Sequence, residues 1–121
     1  MNSNQLKERT KEFAKSIIKI IHHLPNDRIG WTITDQIVRS STSVAANYRA
    51  VCRAKSDKDF IHKMGIVIEE ADETQFWLEM IDELNLIQVN SEVKSLIDEA
   101  DELVSIFVSS IKTVKNRLNN T

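Results

Sequence analysis

Residues 56–84, SDKDFIHKMGIVIEEADETQFWLEMIDEL, contain the pattern that decides the fold. Phe60, Met64, Val67, Ala71, Thr74, Leu78 and Ile81 recur at alternating steps of four and three. That spacing puts all seven on one side of an α-helix and reproduces the seam of a left-handed bundle. Ser56, with Asp59 three residues later, makes a variant capping box and marks the helix start. A second apolar line, Ile66, Trp77, Met80 and Leu84, runs beside the seam. One seam closes a bundle, so the surplus line calls for a partner surface or a covering loop.

Three further segments flank this one. From about Ser3, the expected N-cap, to Leu24, the residues Leu6, Thr10, Phe13, Ile17, Ile20 and Leu24 repeat the same steps, and Pro25 ends the helix by disfavouring it in the preceding residue. A second helix is predicted from Thr32 or Thr34 to about Ala54, with Ile33, Ile37, Val44, Tyr48 and Val51 as its core face. After a short Leu86–Asn90 connection, a helix capped by Asn90 or Ser91 runs to about Leu118. Its seam is Val93, Leu96, Ala100, Leu103, Phe107, Ser110 and Val114, with Ile97, Val104, Ile111 and Leu118 repeating every seventh residue beside it. Short connections make sequential helices antiparallel. The expected fold is all-α, a single antiparallel up-down-up-down four-helix bundle over residues 1–121.

Composition agrees with helices. The 121 residues include two Gly and one Pro, too little turn chemistry for a hairpin architecture. Hydrophobic residues make up 41% and charged residues 28%, too apolar for disorder, and no apolar run approaches the length of a membrane span. The first residues lack a secretory-signal pattern and the lone Cys52 cannot form an internal disulfide; both favour a cytoplasmic location.

The net charge of −2 conceals an uneven distribution. Residues 1–66 hold 12 Lys and Arg against 6 Asp and Glu, and residues 67–121 hold 4 against 12, giving +6 and −8. Either the basic and acidic helices lie side by side and neutralise one another, or a basic face stays open for nucleic acid. Helix two sharpens the question. Arg39, Ser43, Ala46, Arg49, Ala50 and Arg53 share its outer face, followed by Lys55 and Lys58. Arginines interleaved with very small side chains suit a packed interface, a solvated face or a nucleic-acid stripe. Ile66, Glu70, Glu73, Trp77, Met80 and Leu84 form the candidate oligomer interface, with Arg39 or Arg53 expected to pair with Glu70 or Glu73 across it, around a buried Trp77.

Little in the chain points to catalysis. Asp59-Phe60-Ile61-His62 is the nearest approach to a carboxylate–histidine metal motif and has no second copy. The acidic run Glu69–Glu73 reads as a solvated helix face, Cys52 as inert packing, and Gly30 and Gly65 lie too far apart for a phosphate loop. No catalytic residue, cofactor or metal is expected.

Residues 36–81, QIVRSSTSVAANYRAVCRAKSDKDFIHKMGIVIEEADETQFWLEMI, resemble the bacterial four-helix-bundle family named after proteins encoded in intervening sequences of 23S ribosomal RNA genes. The matching positions are Arg39, Ser40, Ser43, Val44 and Asn47 on helix two, then Arg53, Lys55, Ser56, Lys58, Asp59 and Phe60, then Glu70, Glu73, Thr74, Trp77, Leu78 and Glu79. The resemblance implies a non-enzymatic homopentameric ring of undefined biochemical role. The family's "ribosomal protein" label derives from gene location. Related bundle proteins of diversity-generating retroelements accompany reverse transcriptases and bind nucleic acid as basic barrels, so RNA, DNA or a reverse transcriptase is an implied partner. This chain departs from those relatives in its acidic sequence pI of about 5.9.

Overall fold

The computed structural model describes residues 1–88 and 90–120. Four helices run up and down in turn: α1 (Ser3–Ile20), α2 (Arg28–Val51), α3 (Asp57–Glu83) and α4 (Asn90–Asn119), with a single 3-10 turn, Ile21–His23, after α1. Packing follows the cyclic order α1–α2–α3–α4, and the seam between α4 and α1 is the thinnest. Among the described residues, no helix is long and apolar enough to cross a membrane.

Backbone chemistry fixes the ends of the helices, and it moves several expected boundaries. Asn2, not Ser3, caps α1: its side chain accepts the Gln5 N–H at 2.9 Å while Gln5 Oε1 accepts the Asn2 N–H at 3.0 Å, a reciprocal capping box. The regular helix stops at Ile20, because Leu24 must be extended (ψ 150°) to precede Pro25. Helix α2 begins at Arg28, well before Thr32, because Asp27 Oδ1 accepts the Gly30 N–H at 2.9 Å. In α3 the expected Ser56 cap holds, with Oγ accepting the Asp59 N–H at 3.0 Å. The Asp59 carboxylate reaches one residue further back than a capping box requires, to the Lys55 N–H at 3.0 Å. Helix α3 ends in a Schellman turn: Leu86 N–H donates to the Ile81 carbonyl and Asn85 N–H to that of Asp82, with Asn85 left-handed at φ 51°.

The core follows the heptad seams. Met64, Val67, Ala71, Thr74, Leu78 and Ile81 of α3 are buried, as are Val93, Leu96, Ala100, Leu103, Phe107 and Val114 of α4. Phe60 and Ser110 are half-buried. Tyr48 stacks on Phe107 with ring centroids 5.9 Å apart, and burial, reinforced by the adjacent Cys52, pushes the Tyr48 phenol above its usual range. Cys52 itself is exposed at the end of α2, contrary to the packing role expected of it. Each fully buried aliphatic or aromatic side chain contributes about 1.5–3 kcal/mol of transfer free energy.

At the α2–α3 seam polar groups enter the core. Ser40 and Thr74 are fully buried, and their hydroxyl oxygens are hydrogen-bonded at 2.9 Å. Thr74 Oγ1 also lies 2.8 Å from the Glu70 carbonyl, and Ser40 Oγ 3.4 Å from that of Ile37, so neither hydroxyl is orphaned. Just outside them, Arg39 bonds Glu70 Oε2 at 3.1 Å and also bonds Glu73. The expected partners, Arg39 with Glu70 and Glu73, therefore meet inside one chain. On the opposite side Arg9 grips Glu99 with two hydrogen bonds, at 2.8 and 2.7 Å, and reaches Glu102 at 2.9 Å, tying α1 to α4. These carboxylates hold the Arg9 guanidinium well above its usual range, Glu99 most strongly. Basic and acidic helices thus do lie side by side.

Three outcomes follow from these contacts. A Cβ at Gly30 would collide with the Pro25 carbonyl, whereas one at Gly65 meets nothing within 4 Å. Gly65→Ala is expected to raise stability by about 0.5–1 kcal/mol, and Gly30→Ala to lower it by about 1–3 kcal/mol, read by urea unfolding. Ser40→Ala and Thr74→Val are each expected to cost about 1 kcal/mol, and the double variant clearly less than their sum, in a double-mutant cycle. The Asp59 carboxylate is held below its usual range, first by Lys63 Nζ at 2.9 Å and then by the Lys55 N–H. A depressed folded-state pKa contributes stability above the unfolded value of about 3.9 and loses it as pH falls through the folded value. The unfolding midpoints of wild type and Asp59→Asn should therefore differ at neutral pH and converge in acid.

Candidate functional site

Two outward surfaces remain once the core and its ion pairs are accounted for. The first lies over α2. Arg49 stands on its outer face and Arg53 in the turn that follows it, and between them the helix end presents small side chains, Ala46 exposed and Ala50 half-buried. On the α1 side this face opens into a groove of about 380 Å³ lined by Lys7, Glu8, Lys11, Thr42, Ala45, Ala46 and Arg49. On the α3 side it continues into a second groove of about 540 Å³ lined by Ala46, Arg49, Ala50, Arg53, Lys55 and Lys63. The two share Ala46 and Arg49 and form one basic depression across three helices.

Not every residue of the expected stripe belongs to it. Arg39 is drawn onto α3 by Glu70 and Glu73. Ser43 is half-buried, and its carbonyl accepts the Asn47 Nδ2–H at 2.9 Å. Lys58 is exposed on the first turn of α3 and lines neither groove. Sequence periodicity along α2 overlooked Lys7, Lys11 and Lys63, which come from neighbouring helices. Their only trace in the chain was the basic excess of the first 66 residues. Lys7, Lys11, Arg49, Arg53 and Lys55 make no ion pair among the described residues, while Lys63 is partnered by Asp59.

The second surface is the outer face of α3. Trp77 is half-buried against the core; its Nε1–H donates to Glu73 Oε2 at 3.1 Å and its ring meets Phe76 edge-on at 4.9 Å. Glu70, Glu73 and Trp77 are thereby engaged within the chain, together with Arg39. Ile66 and Met80 are half-buried and Leu84 is exposed. Phe76, absent from the expected line, completes it: Phe76, Met80 and Leu84 follow at intervals of four and form a stripe pointing away from the core. Antiparallel counting back from Ser40 and forward from Thr74 brings Ile29 of α2 level with Asn85, one residue past Leu84. Glu69, Asp72, Glu79 and Glu83 are exposed around this stripe.

Neither surface assembles recognisable catalytic chemistry. Among the described residues, no three His, Cys, Asp or Glu side chains are placed to share a metal ion. Asp59, the acid of the Asp59–His62 pair, spends its carboxylate on Lys63 and the Lys55 N–H.

A search of curated proteins finds no match to this chain. Among solved structures it is similar to a crystal structure, at 1.70 Å resolution, of a protein of unknown function from the S23 ribosomal protein family of Bacteroides thetaiotaomicron VPI-5482. The two share 34% sequence identity with a TM-score of 0.79, covering 88% of this chain and 97% of the other. Residues 2–109, all of α1 through most of α4, match the family described as 23S rRNA-intervening sequence protein, and the chain belongs to that family.

Proposed function

We propose that the chain is a non-enzymatic interaction module that assembles with copies of itself through the outer face of α3. The observation that carries this reading is the alignment of exposed apolar side chains there. Phe76 is 49% and Leu84 52% exposed, on one line with Met80, and Ile29, opposite the residue after Leu84 by antiparallel counting, is 55% exposed. Large apolar side chains scattered singly are ordinary, but a continuous stripe with a polar rim is the usual form of a protein contact.

The rim also bears on the symmetry of the contact. In a two-fold contact the stripe would face its own copy, bringing Glu69, Asp72, Glu79 and Glu83 against the same carboxylates. A heterologous contact, in which the stripe meets a different patch on the next copy, avoids that repulsion and closes into a ring when the rotation allows. This agrees with the homopentamer implied by the family resemblance. A scaffold of this kind presents each subunit's remaining surfaces in repeated array.

Light scattering coupled to size exclusion checks the reading. Wild type is expected at a multiple of 13.9 kDa at low micromolar concentration. Phe76→Lys with Leu84→Lys is expected to give the single-chain mass while circular dichroism stays helical, since both side chains are exposed in the isolated chain. A wild-type protein that runs as a single chain, or a double variant that stays assembled, rejects this face as the interface.

A further inference from the structure

We propose that the basic depression over α2 binds the phosphodiester backbone of a nucleic-acid duplex. Its cations outnumber its carboxylates: Glu8 is the one acid in the lining. Lys7 and Lys11 from α1, Arg49 from α2, and Arg53 and Lys55 from the turn after it all line it without an ion pair among the described residues, and Lys63 adds a sixth cation shared with Asp59. Arg9 and Arg39, by contrast, are consumed by carboxylates elsewhere in the bundle. Three helices and the α2–α3 turn hold these cations, and Ala45, Ala46 and Ala50 line the space between them, so a phosphate can come close to α2 without displacing a large side chain.

The lining also selects the class of ligand. It includes no aromatic and no large apolar side chain. A protein partner is normally anchored by aromatic or apolar residues in a contact poor in lysine, and this depression has the reverse composition. A single strand bound without sequence preference is normally held by bases stacked on aromatic rings, and none is present here. What remains is backbone contact from Lys and Arg, which positions a duplex and reads no sequence. The acidic outer face of α3 would repel the same ligand, so binding is confined to the α2 side. The site lies within one chain and is independent of the apolar stripe on α3.

Fluorescence anisotropy with short labelled duplex RNA, duplex DNA and the corresponding single strand, from about 50 to 200 mM salt, tests the proposal and separates RNA from DNA. Wild type is expected to bind at least one duplex, with log K falling linearly in log salt by about 0.9 per phosphate neutralised on DNA. Arg49→Ala with Arg53→Ala should flatten that slope by roughly 2, and Lys58→Ala, outside the depression, should leave it unchanged. The monomeric Phe76→Lys, Leu84→Lys protein should keep the same sensitivity to Arg49 and Arg53. Polyglutamate should not displace the duplex. The proposal is overturned by absence of duplex binding at the lowest salt, by binding indifferent to Arg49 and Arg53, by a single strand bound tighter than both duplexes, or by displacement with polyglutamate. If the Arg49→Ala, Arg53→Ala protein instead falls apart into single chains, the depression is a protein interface and the assignment to nucleic acid fails.

Discussion

The bond between Ser40 and Thr74 sets where α2 and α3 lie relative to one another, and both outward surfaces inherit that register. Two hydroxyls in a fully buried seam cost stability unless each finds a partner, and here they bond one another, the second of their two protons going to a backbone carbonyl of its own helix. Small side chains at this point let the two helices approach closely. With the pair in place, Arg39 is within reach of Glu70 and Glu73, and Ala50 stands near Lys63. A slip of one helical turn would separate Arg39 from its acids and dismantle the groove between Arg53, Lys55 and Lys63.

Electrostatics then divides the molecule. Carboxylates of α3 and α4 neutralise Arg39 and Arg9 at two seams, and Asp57 pairs with Arg117 near the far end of the bundle at 2.9 Å. These pairs are partly exposed, so each contributes little stability by itself. Their larger effect is on the charge left over: among the described residues Lys7, Lys11, Arg49, Arg53 and Lys55 stay unpaired along the grooves beside α2, and Glu69, Asp72, Glu79 and Glu83 stay on the outside of α3.

Most of the fold was legible because burial in a bundle imposes a period. Met64 through Ile81 and Val93 through Phe107 could be placed on the core side from spacing alone. The start of α2 was misplaced because Thr32 and Thr34 offered attractive caps, although Asp27, three residues before Gly30, was an equally readable signal. Ser40 and Ser41 were not expected in the core, since polarity outweighs position in a hydrophobic pattern, yet close helix approach needs small side chains whatever their polarity. The pairing of Arg39 with Glu70 and Glu73 was legible as complementarity, but complementary faces look alike within a chain and between chains. Lys7, Lys11 and Lys63 join Arg49 only after the chain has folded back on itself, and no local pattern records such a meeting.

The uneven charge, +6 over residues 1–66 and −8 over residues 67–121, gives the bundle an electric dipole running across its width, from the α3–α4 side toward the α1–α2 side. A sequence pI of about 5.9 describes a body that is nearly neutral, and so describes neither face. In solution such a body turns as it diffuses toward a charged object, offering α2 to anions and α3 to cations before any contact is made. Its encounters are thereby pre-oriented, and raising the ionic strength shortens the range of that orientation long before it disturbs the buried seams.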